Sequence, residues 1–267
     1  MKAVFKLLNS YYIKGFFGPF FVIVFPILLL FIMGNAMETT AASIPFEGGA
    51  PDPKKYMQGV IAGIMITSLI SNGLIGFPIM IIEFKKSTLM KRIGAANISK
   101  KSFFVSVLAY QFLWSVFSII WTLTWGGIII GTKDNYDFSV AFSKNLPIAL
   151  PFMLLTLFIS LSMGLVIVSL TNTTQGVTGL ANVLYLPISF LSGSFIPKDQ
   201  INSSKTLDTI SYILPTKYAV DPFFVAFREG LTGLQNGGWE MWLFPLIAMG
   251  FIGIAILIGI KKFKWSN

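Results

Sequence analysis

Residues 145–197 read NLPIALPFMLLTLFISLSMGLVIVSLTNTTQGVTGLANVLYLPISFLSGSFIP, a run of 53 residues without a single charge. A helix needs about 20 apolar residues to cross the roughly 30 Å hydrocarbon core of a bilayer. The run is therefore long enough for two membrane spans, joined by the polar residues 171–176. This stretch alone predicts a helical membrane protein.

Four further uncharged runs extend the same prediction to the whole chain. They cover residues 15–37, 56–82, 102–132 and 241–260. Of the 267 residues, 54% are hydrophobic and only 12% are charged, which is about half the charged fraction of a soluble domain. We therefore expect an all-α integral membrane protein with one transmembrane domain over residues 1–267. Its six transmembrane helices are predicted at about 16–36, 57–82, 104–131, 147–170, 177–196 and 241–260.

The charged residues between the spans predict the topology. One set of segments carries twelve positive charges and only Glu83 as a negative one, whereas the other carries eight positive and ten negative charges. Because Lys and Arg concentrate on the cytoplasmic side, the first set and both termini should lie inside. Glu83 is expected to pair there with Lys86 or Arg92. The inner segments are 1–14, 83–102, 171–176 and 261–267, and the outer segments are 38–55, 133–144 and 198–240.

The absence of cysteine and histidine restricts the chemistry open to the chain. It excludes disulfides, thiol nucleophiles, imidazole bases and the usual zinc ligands. An intramembrane enzyme would need clustered carboxylates, yet the acidic residues lie in outer segments or at Glu83. A channel or an ion-coupled transporter normally places ionisable residues at membrane depth, and the uncharged runs hold none. Both classes are disfavoured, and no metal site or nucleic-acid partner is expected.

The N-terminal residues have the spacing of a helix that lies in the membrane interface. Val4, Leu7, Leu8 and Tyr11 share one face, and lysines occupy other positions. Simple anchoring of the first span by these lysines is the alternative. The 23 uncharged residues that follow exceed a signal-peptide core of about 7–15 residues, so we expect a retained first span.

Residues 83–101, EFKKSTLMKRIGAANISKK, predict a short amphipathic helix on the cytoplasmic side after span two. On a helical wheel, Leu89, Met90 and Ile93 fall within about 100° of one another, and the basic residues point elsewhere. Such an apolar edge suits the groove of a partner protein, whereas the alternative is a basic loop that only sets the topology. The candidate partner-binding residues are Glu83, Lys86, Leu89, Met90, Lys91, Arg92 and Ile93.

The outer segment before span six predicts a helical hairpin that enters the membrane without crossing it. Ser203 or Ser204 can cap a first helix, which Pro215 ends. A second helix then closes at Gly230. Each helix is too short to span the membrane and too apolar to lie in water, so we expect re-entrant helices buried against the bundle. The apolar face of the second helix consists of Val220, Phe223, Phe224 and Phe227.

Polar residues within the spans are candidates to line a path through the membrane. An amide or hydroxyl in hydrocarbon needs a partner, so the same side chains could instead join the helices by hydrogen bonds. Both interpretations stay open. Span two carries Thr67, Ser71 and Asn72, and span three carries Gln111. Span five carries a stripe at steps of four, three, four and three residues, namely Thr178, Asn182, Tyr185, Ser189 and Ser192.

Two motifs give the chain a family resemblance. Residues 191–197 (LSGSFIP), followed by residues 214–221 (LPTKYAVD), resemble the C-terminal signature of bacterial type-2 permeases of ATP-binding-cassette exporters. Residues 85–95, with the sequences STL and KRIGA, resemble the coupling region of the same family between spans two and three. The order of the motifs, the six spans and the chain length extend the resemblance over essentially the whole chain.

The resemblance implies how such a chain works. Family members form dimers, homodimeric or with a second permease, and each half binds a separate ATPase through the helix after span two. The substrate path runs between the halves along spans two and five. The chain has no G-x-x-x-x-G-K-[ST] phosphate loop, so the partner ATPase should bind ATP and Mg, and this chain no cofactor. Independently of the resemblance, a bend at Pro187 would leave a cavity covered by residues 191–195 and the outer hairpin. The predicted outer gate there consists of Leu191, Phe195, Tyr218 and Phe223.

The expected function is therefore export across a bacterial cell membrane, among membrane lipid, of a hydrophobic or amphipathic substrate. A drug, a lipid-linked compound or an antimicrobial peptide fits a path that has weak polar groups and no fixed charge. The alternatives are export of a polysaccharide or a lipid carrier, or transport by an ion-independent secondary transporter or channel.

Overall fold

The computed structural model describes residues 5, 8–10, 12–13, 19–38, 41, 52–86, 100–133, 136–193, 195–196 and 198–262. These residues are mainly helical and contain no strand. The first five helices are α1 (Phe20–Ala36), α2 (Pro53–Lys86), α3 (Lys100–Gly131), α4 (Leu146–Leu170) and α5 (Thr174–Leu191). The last four are α6 (Lys198–Ser203), α7 (Lys205–Ser211), α8 (Lys217–Asn236) and α9 (Glu240–Lys262).

Four of these helices are long and apolar enough to cross a membrane. They are α2, α3, α4 and α9, which lie at the predicted positions of spans two, three, four and six. The counterpart of span one, α1, is a shorter apolar helix, and the counterpart of span five, α5, has 18 residues. A multi-pass, helical membrane protein is thus confirmed, and the count of six spans stays a prediction.

Some helices begin or end at residues other than the ends of the uncharged runs, because capping residues and turns determine where a helix starts and stops. Helix α2 begins at Pro53 because Asp52 caps it, its carboxylate accepting a hydrogen bond from the Lys55 backbone N–H at 3.1 Å. Helix α5 begins at Thr174, because the Thr173 hydroxyl caps it by accepting a hydrogen bond from the Gly176 backbone N–H at 3.0 Å. It ends at Leu191, five residues before the predicted boundary, because the chain turns at Gly193 with φ +86°.

Helix α2 is the central element of the fold. Its most apolar stretch is buried over its whole length by other helices of the same chain, and α1, α3, α4, α5 and α8 all contact it. A π-helical turn, Asn72–Gly76, interrupts the α-helix near its middle. At this turn α4 approaches so closely that Gly73 and Gly164 face each other with no room for a side chain.

The outer hairpin is built from three helices where two were predicted. Helix α7 follows Ser204, as expected, although the Ser204 side chain makes no capping hydrogen bond. Helix α8 begins at Lys217, and Gly230 interrupts it with φ +67° where the sequence predicts its end. A further helical segment then reaches Asn236. The additional helix, α6, directly follows the turn after α5.

The described residues of the N-terminal segment, 5, 8–10 and 12–13, are helical. Leu8 and Tyr12 are buried in an apolar cluster with Phe77, Phe84 and Tyr110. This part of the segment therefore packs against protein. Its placement in the membrane interface stays a prediction, and Val4, Leu7 and Tyr11 lie outside the described residues.

Candidate functional site

A polar cluster surrounds Asn72, the first residue of the π-helical turn. The Asn72 amide donates a hydrogen bond to the Ser115 hydroxyl at 2.9 Å. Gln111 donates to the Asn72 backbone oxygen at 3.1 Å and also to its side-chain oxygen. The Tyr12 hydroxyl donates to the same side-chain oxygen at 3.2 Å. Asn72 thus joins α2 to α3 and to the N-terminal segment, and Gln111 has the partner that the sequence required.

The two other candidate path residues of α2 are enclosed by the same chain. Thr67 and Ser71 have no exposed surface. The Ser71 hydroxyl donates to the Ser68 backbone oxygen at 3.0 Å. The Thr67 hydroxyl has no hydrogen-bond partner among the described residues. In the single chain, neither side chain lines an accessible surface.

The predicted stripe of α5 divides into a buried and an exposed part. Tyr185, Ser189 and Ser192 are buried, Thr178 is half-buried, and Asn182 is exposed. The Tyr185 ring packs between helices, with ring centroids 6.3 Å from Phe21 and 6.4 Å from Phe25 of α1. The Ser192 hydroxyl donates to the Ser189 backbone oxygen at 3.1 Å. The outer half of the stripe therefore faces the bundle.

The other face of α5 is apolar and uncovered. Val183 is 68% exposed, Leu186 54% and Phe190 46%. Asn182 lies beside them in the sequence and is also exposed. Among the candidate path residues, Asn182 is accessible without any rearrangement of the chain.

Two lysines connect the C-terminal end of α2 to the start of α5. Lys85 donates a hydrogen bond to the Asn172 side chain at 3.4 Å, and Lys86 donates to the Thr174 hydroxyl at 3.1 Å. Glu83 lies one turn before Lys86 on α2, and its expected pairing with Lys86 or Arg92 stays a prediction. The remaining candidates, Leu89, Met90, Lys91, Arg92 and Ile93, lie outside the described residues.

The four predicted gate residues occupy two different places. Leu191 and Phe195 are half-buried near the turn at Gly193, and the Phe195 ring stacks on Phe190 with centroids 5.1 Å apart. Phe223 is fully buried in the main core. The Tyr218 hydroxyl donates to the Tyr212 backbone oxygen at 2.8 Å, and its ring packs against α9. Phe195 packs against the core that contains Phe223, whereas Tyr218 packs against α9, and the gate stays a prediction.

A buried ionic cluster in the outer hairpin was missed in the sequence. Lys198 pairs with Asp221 at 2.5 Å, and Lys217 pairs with Asp221 at 2.9 Å and with Asp208 at 2.8 Å. The Lys198 and Lys217 side chains are only 5% and 2% exposed. The cluster joins α6, α7 and α8. The available signal was the four-residue spacing of Lys217 and Asp221, which places both on one helix face.

Burial and charge act in opposite directions on these two lysines. Burial lowers the pKa of Lys198, and the neighbouring Asp221 only partly offsets that effect. Burial also acts to lower the pKa of Lys217, but Asp221 and Asp208 together raise it above its usual value. Lys217 therefore holds its proton firmly and keeps the cluster charged at neutral pH.

Comparison with known proteins agrees with the architecture. No curated protein matches the chain. The family model described as ABC-2 type transporter matches residues 4–228, which includes α1 to α7 and the first part of α8. This match confirms the family resemblance of the two sequence motifs. The chain therefore belongs to the ABC-2 type transporter family, as a membrane permease component of an ABC transporter.

Proposed function

We propose that the chain is the permease subunit of an ATP-driven exporter, which moves a hydrophobic or amphipathic substrate outward. A separate ATPase subunit would bind ATP and Mg and supply the energy. The family match over residues 4–228 carries this proposal, together with the lack of a phosphate loop in the sequence. A drug, a lipid-linked compound or an antimicrobial peptide suits spans that carry weak polar groups and no charge.

We propose further that two permease copies, identical or related, meet along the exposed face of α5. Val183, Leu186 and Phe190 supply its apolar area, and Asn182 would lie at the boundary between the copies. The buried path candidates would become accessible only if the helices that enclose them, including α1, α3 and α5, move apart from one another and from α2. These candidates are Thr67, Ser71, Asn72, Tyr185, Ser189 and Ser192.

The hydrogen bonds of Lys85 and Lys86 support a proposal for how ATP hydrolysis in the partner subunit is coupled to movement of the membrane helices. They connect the residues just before the proposed ATPase-binding helix to the first turn of α5. A displacement of that helix by the ATPase would therefore act on α2 and α5 together. The outer turn at Gly193 and the hairpin would respond at the other end.

The test of coupling is a double variant, Leu89→Asp with Ile93→Asp. A charge in an apolar protein groove is strongly unfavourable, so the variant should insert in the membrane but lose substrate-stimulated ATP hydrolysis. Ile98→Asp is the matched control, because residue 98 lies on the opposite side of the helical wheel. Normal stimulation of ATP hydrolysis in the double variant would contradict ATPase binding by this segment and favour the alternative, a basic loop that only sets the topology.

The test of the path is Asn182→Trp, assayed by substrate export from vesicles that contain the permease and its co-purified ATPase. The bulky ring should block export and leave basal ATP hydrolysis and dimer assembly intact. Leu257→Trp on the exposed face of α9, where the leucine is 62% exposed, is the control. Export without ATP would favour a secondary transporter or channel, and export of a polysaccharide would identify the other alternative.

The proposed orientation can be tested directly, because the chain has no native cysteine. A single cysteine at Gly48 should react with a membrane-impermeant reagent in intact cells. Cysteines at Ser99 and Asn267 should be protected. Labelling at Ser99 from outside would contradict the cytoplasmic placement of both termini.

A further inference from the structure

A cleft of about 290 Å³ opens at the end of the molecule where α2 and α4 begin. Four positively charged residues line it, namely Lys54, Lys55, Lys144 and Arg228. Asp52 is the one carboxylate among its lining residues. The cleft is separate from the polar cluster at Asn72 and from the accessible face of α5.

This concentration of positive charge is unusual for its end of the molecule. The three segments predicted to lie outside hold eight positive and ten negative residues. Half of those eight positive residues line this one cleft, where Asp52 is the acid among the lining residues and Asp137 pairs with Lys54 beside it. A surface that merely carried scattered charges would mix the two signs.

The start of α4 adds to the positive potential. Helix α4 begins at Leu146 with no acidic residue in its first turn and no side-chain cap. The first turn of a helix is the positive end of its dipole, which favours acidic residues or a bound anion. At the start of α2 the Asp52 carboxylate already serves as the cap and pairs with Lys55 at 3.7 Å. A bound anion would complement the uncapped start of α4.

The walls of the cleft are held in place by hydrogen bonds. Asn145 donates its side-chain amide to the Arg228 backbone oxygen at 2.9 Å, and Ser143 donates its hydroxyl to the Phe227 backbone oxygen at 2.8 Å. These bonds fix the start of α4 against α8.

The lysines at the mouth can reach a ligand. Lys54 bonds to Asp137 at 3.1 Å but keeps 46% of its side chain exposed, and Lys55 is 59% exposed. Lys144 is exposed and makes no ion pair within the part of the chain that the structure describes. Exposed lysines of this kind can turn toward an anion at little cost in packing.

We propose that this cleft binds a phosphate group, carried either by the headgroup of an anionic lipid or by free phosphate. Lysine and arginine side chains together with helix N-termini are the groups that bind phosphate in proteins. The volume exceeds that of one phosphate ion and leaves room for a glycerol headgroup. The assignment rests on the cleft alone and is independent of the transport proposal.

The test uses the full chain in detergent and three single variants. Retention of phosphatidylglycerol and of phosphatidylcholine is measured by native mass spectrometry, and binding of inorganic phosphate by calorimetry. Lys144→Glu should weaken phosphate-group binding about tenfold, the size expected for a charge-assisted contact. Lys205→Glu makes the same charge change at an exposed position of α7 outside the cleft and should bind like the wild type. Lys144→Arg should also retain binding.

The outcomes separate the two sources of the phosphate. Preferential retention of phosphatidylglycerol that inorganic phosphate does not displace supports a lipid headgroup. Saturable binding of inorganic phosphate that Lys144→Glu weakens supports a free anion. Equal binding by the wild type, Lys144→Glu and Lys205→Glu, or no binding of either probe to the wild type, would overturn the proposal.

Discussion

Replacing Gly164 with alanine should disrupt the crossing of α2 and α4. A Cβ at Gly164 would overlap the backbone oxygen of Gly73 and lie 2.9 Å from the ring of Phe77. Ordinary contact begins at about 3.4 Å, and a backbone oxygen inside a helix cannot rotate away, so the two helices would have to separate. Overpacking of this kind costs about 3 kcal/mol at the upper end of its usual range. Alanine returns about 1 kcal/mol of helix propensity, which leaves a net loss of about 2 kcal/mol.

Thermal unfolding of the purified protein in detergent measures this loss. Gly253→Ala in α9 and Gly179→Ala in α5 are matched controls, because no atom lies within 4 Å of the added Cβ at either position. Both controls should be as stable as the wild type or slightly more stable. If Gly164→Ala unfolds at the same temperature as the controls, the close approach of α2 and α4 is refuted.

Three further predictions concern the polar cluster around Asn72, the ionic cluster of the outer hairpin and the interruption of α8 at Gly230. Asn72→Leu should lower the free energy of unfolding by about 2 kcal/mol because the buried Gln111 amide and Tyr12 hydroxyl lose their side-chain acceptor and the Ser115 hydroxyl loses its donor. Adding Gln111→Leu should recover part of that loss in the same unfolding assay. Lys217→Met should cost about 3 kcal/mol by leaving Asp221 with one cation. Since the pKa of Lys217 is raised above 10.5 despite its burial, its stabilisation should be fully present from neutral pH up to 10.5 and disappear as pH rises further, which unfolding curves across alkaline pH will show. Gly230→Ala should cost about 1 kcal/mol, because φ +67° is unfavourable for a residue with a Cβ.

Local sequence was sufficient for most of the helices. Uncharged runs locate α2, α3, α4 and α9 because a helix that crosses the membrane must be apolar over a fixed length. The same criterion could not locate the ends. Helix α2 extends to Lys86 because lysine side chains can reach the polar surface from the last turn of a helix. Helix α5 stops at Leu191 because Gly193 adopts a left-handed conformation, and the uncharged run continues past it.

The candidate site was harder to predict because its contacts join distant parts of the chain. Asn72 and Gln111 were recognised as polar residues in apolar spans, but nothing local indicates that Tyr12, 60 residues earlier, contacts Asn72. The π-helical turn lies where α4 approaches α2 closely, and no pattern in the sequence of span two predicts that approach. Lys198 was missed because its partner Asp221 belongs to another helix.

The complete enclosure of α2 has a consequence for how the protein is made. The ribosome produces α2 before α3, α4, α5 and α8, the helices that later cover it. The amide and hydroxyl partners of Asn72 on α3 follow 39 and 43 residues later, a delay on the order of seconds at usual rates of synthesis. During that interval Asn72 must face lipid or the insertion machinery without its partners on α3. Biogenesis thus contains a waiting step at α2, which ends only when the later helices enter the membrane and close around it.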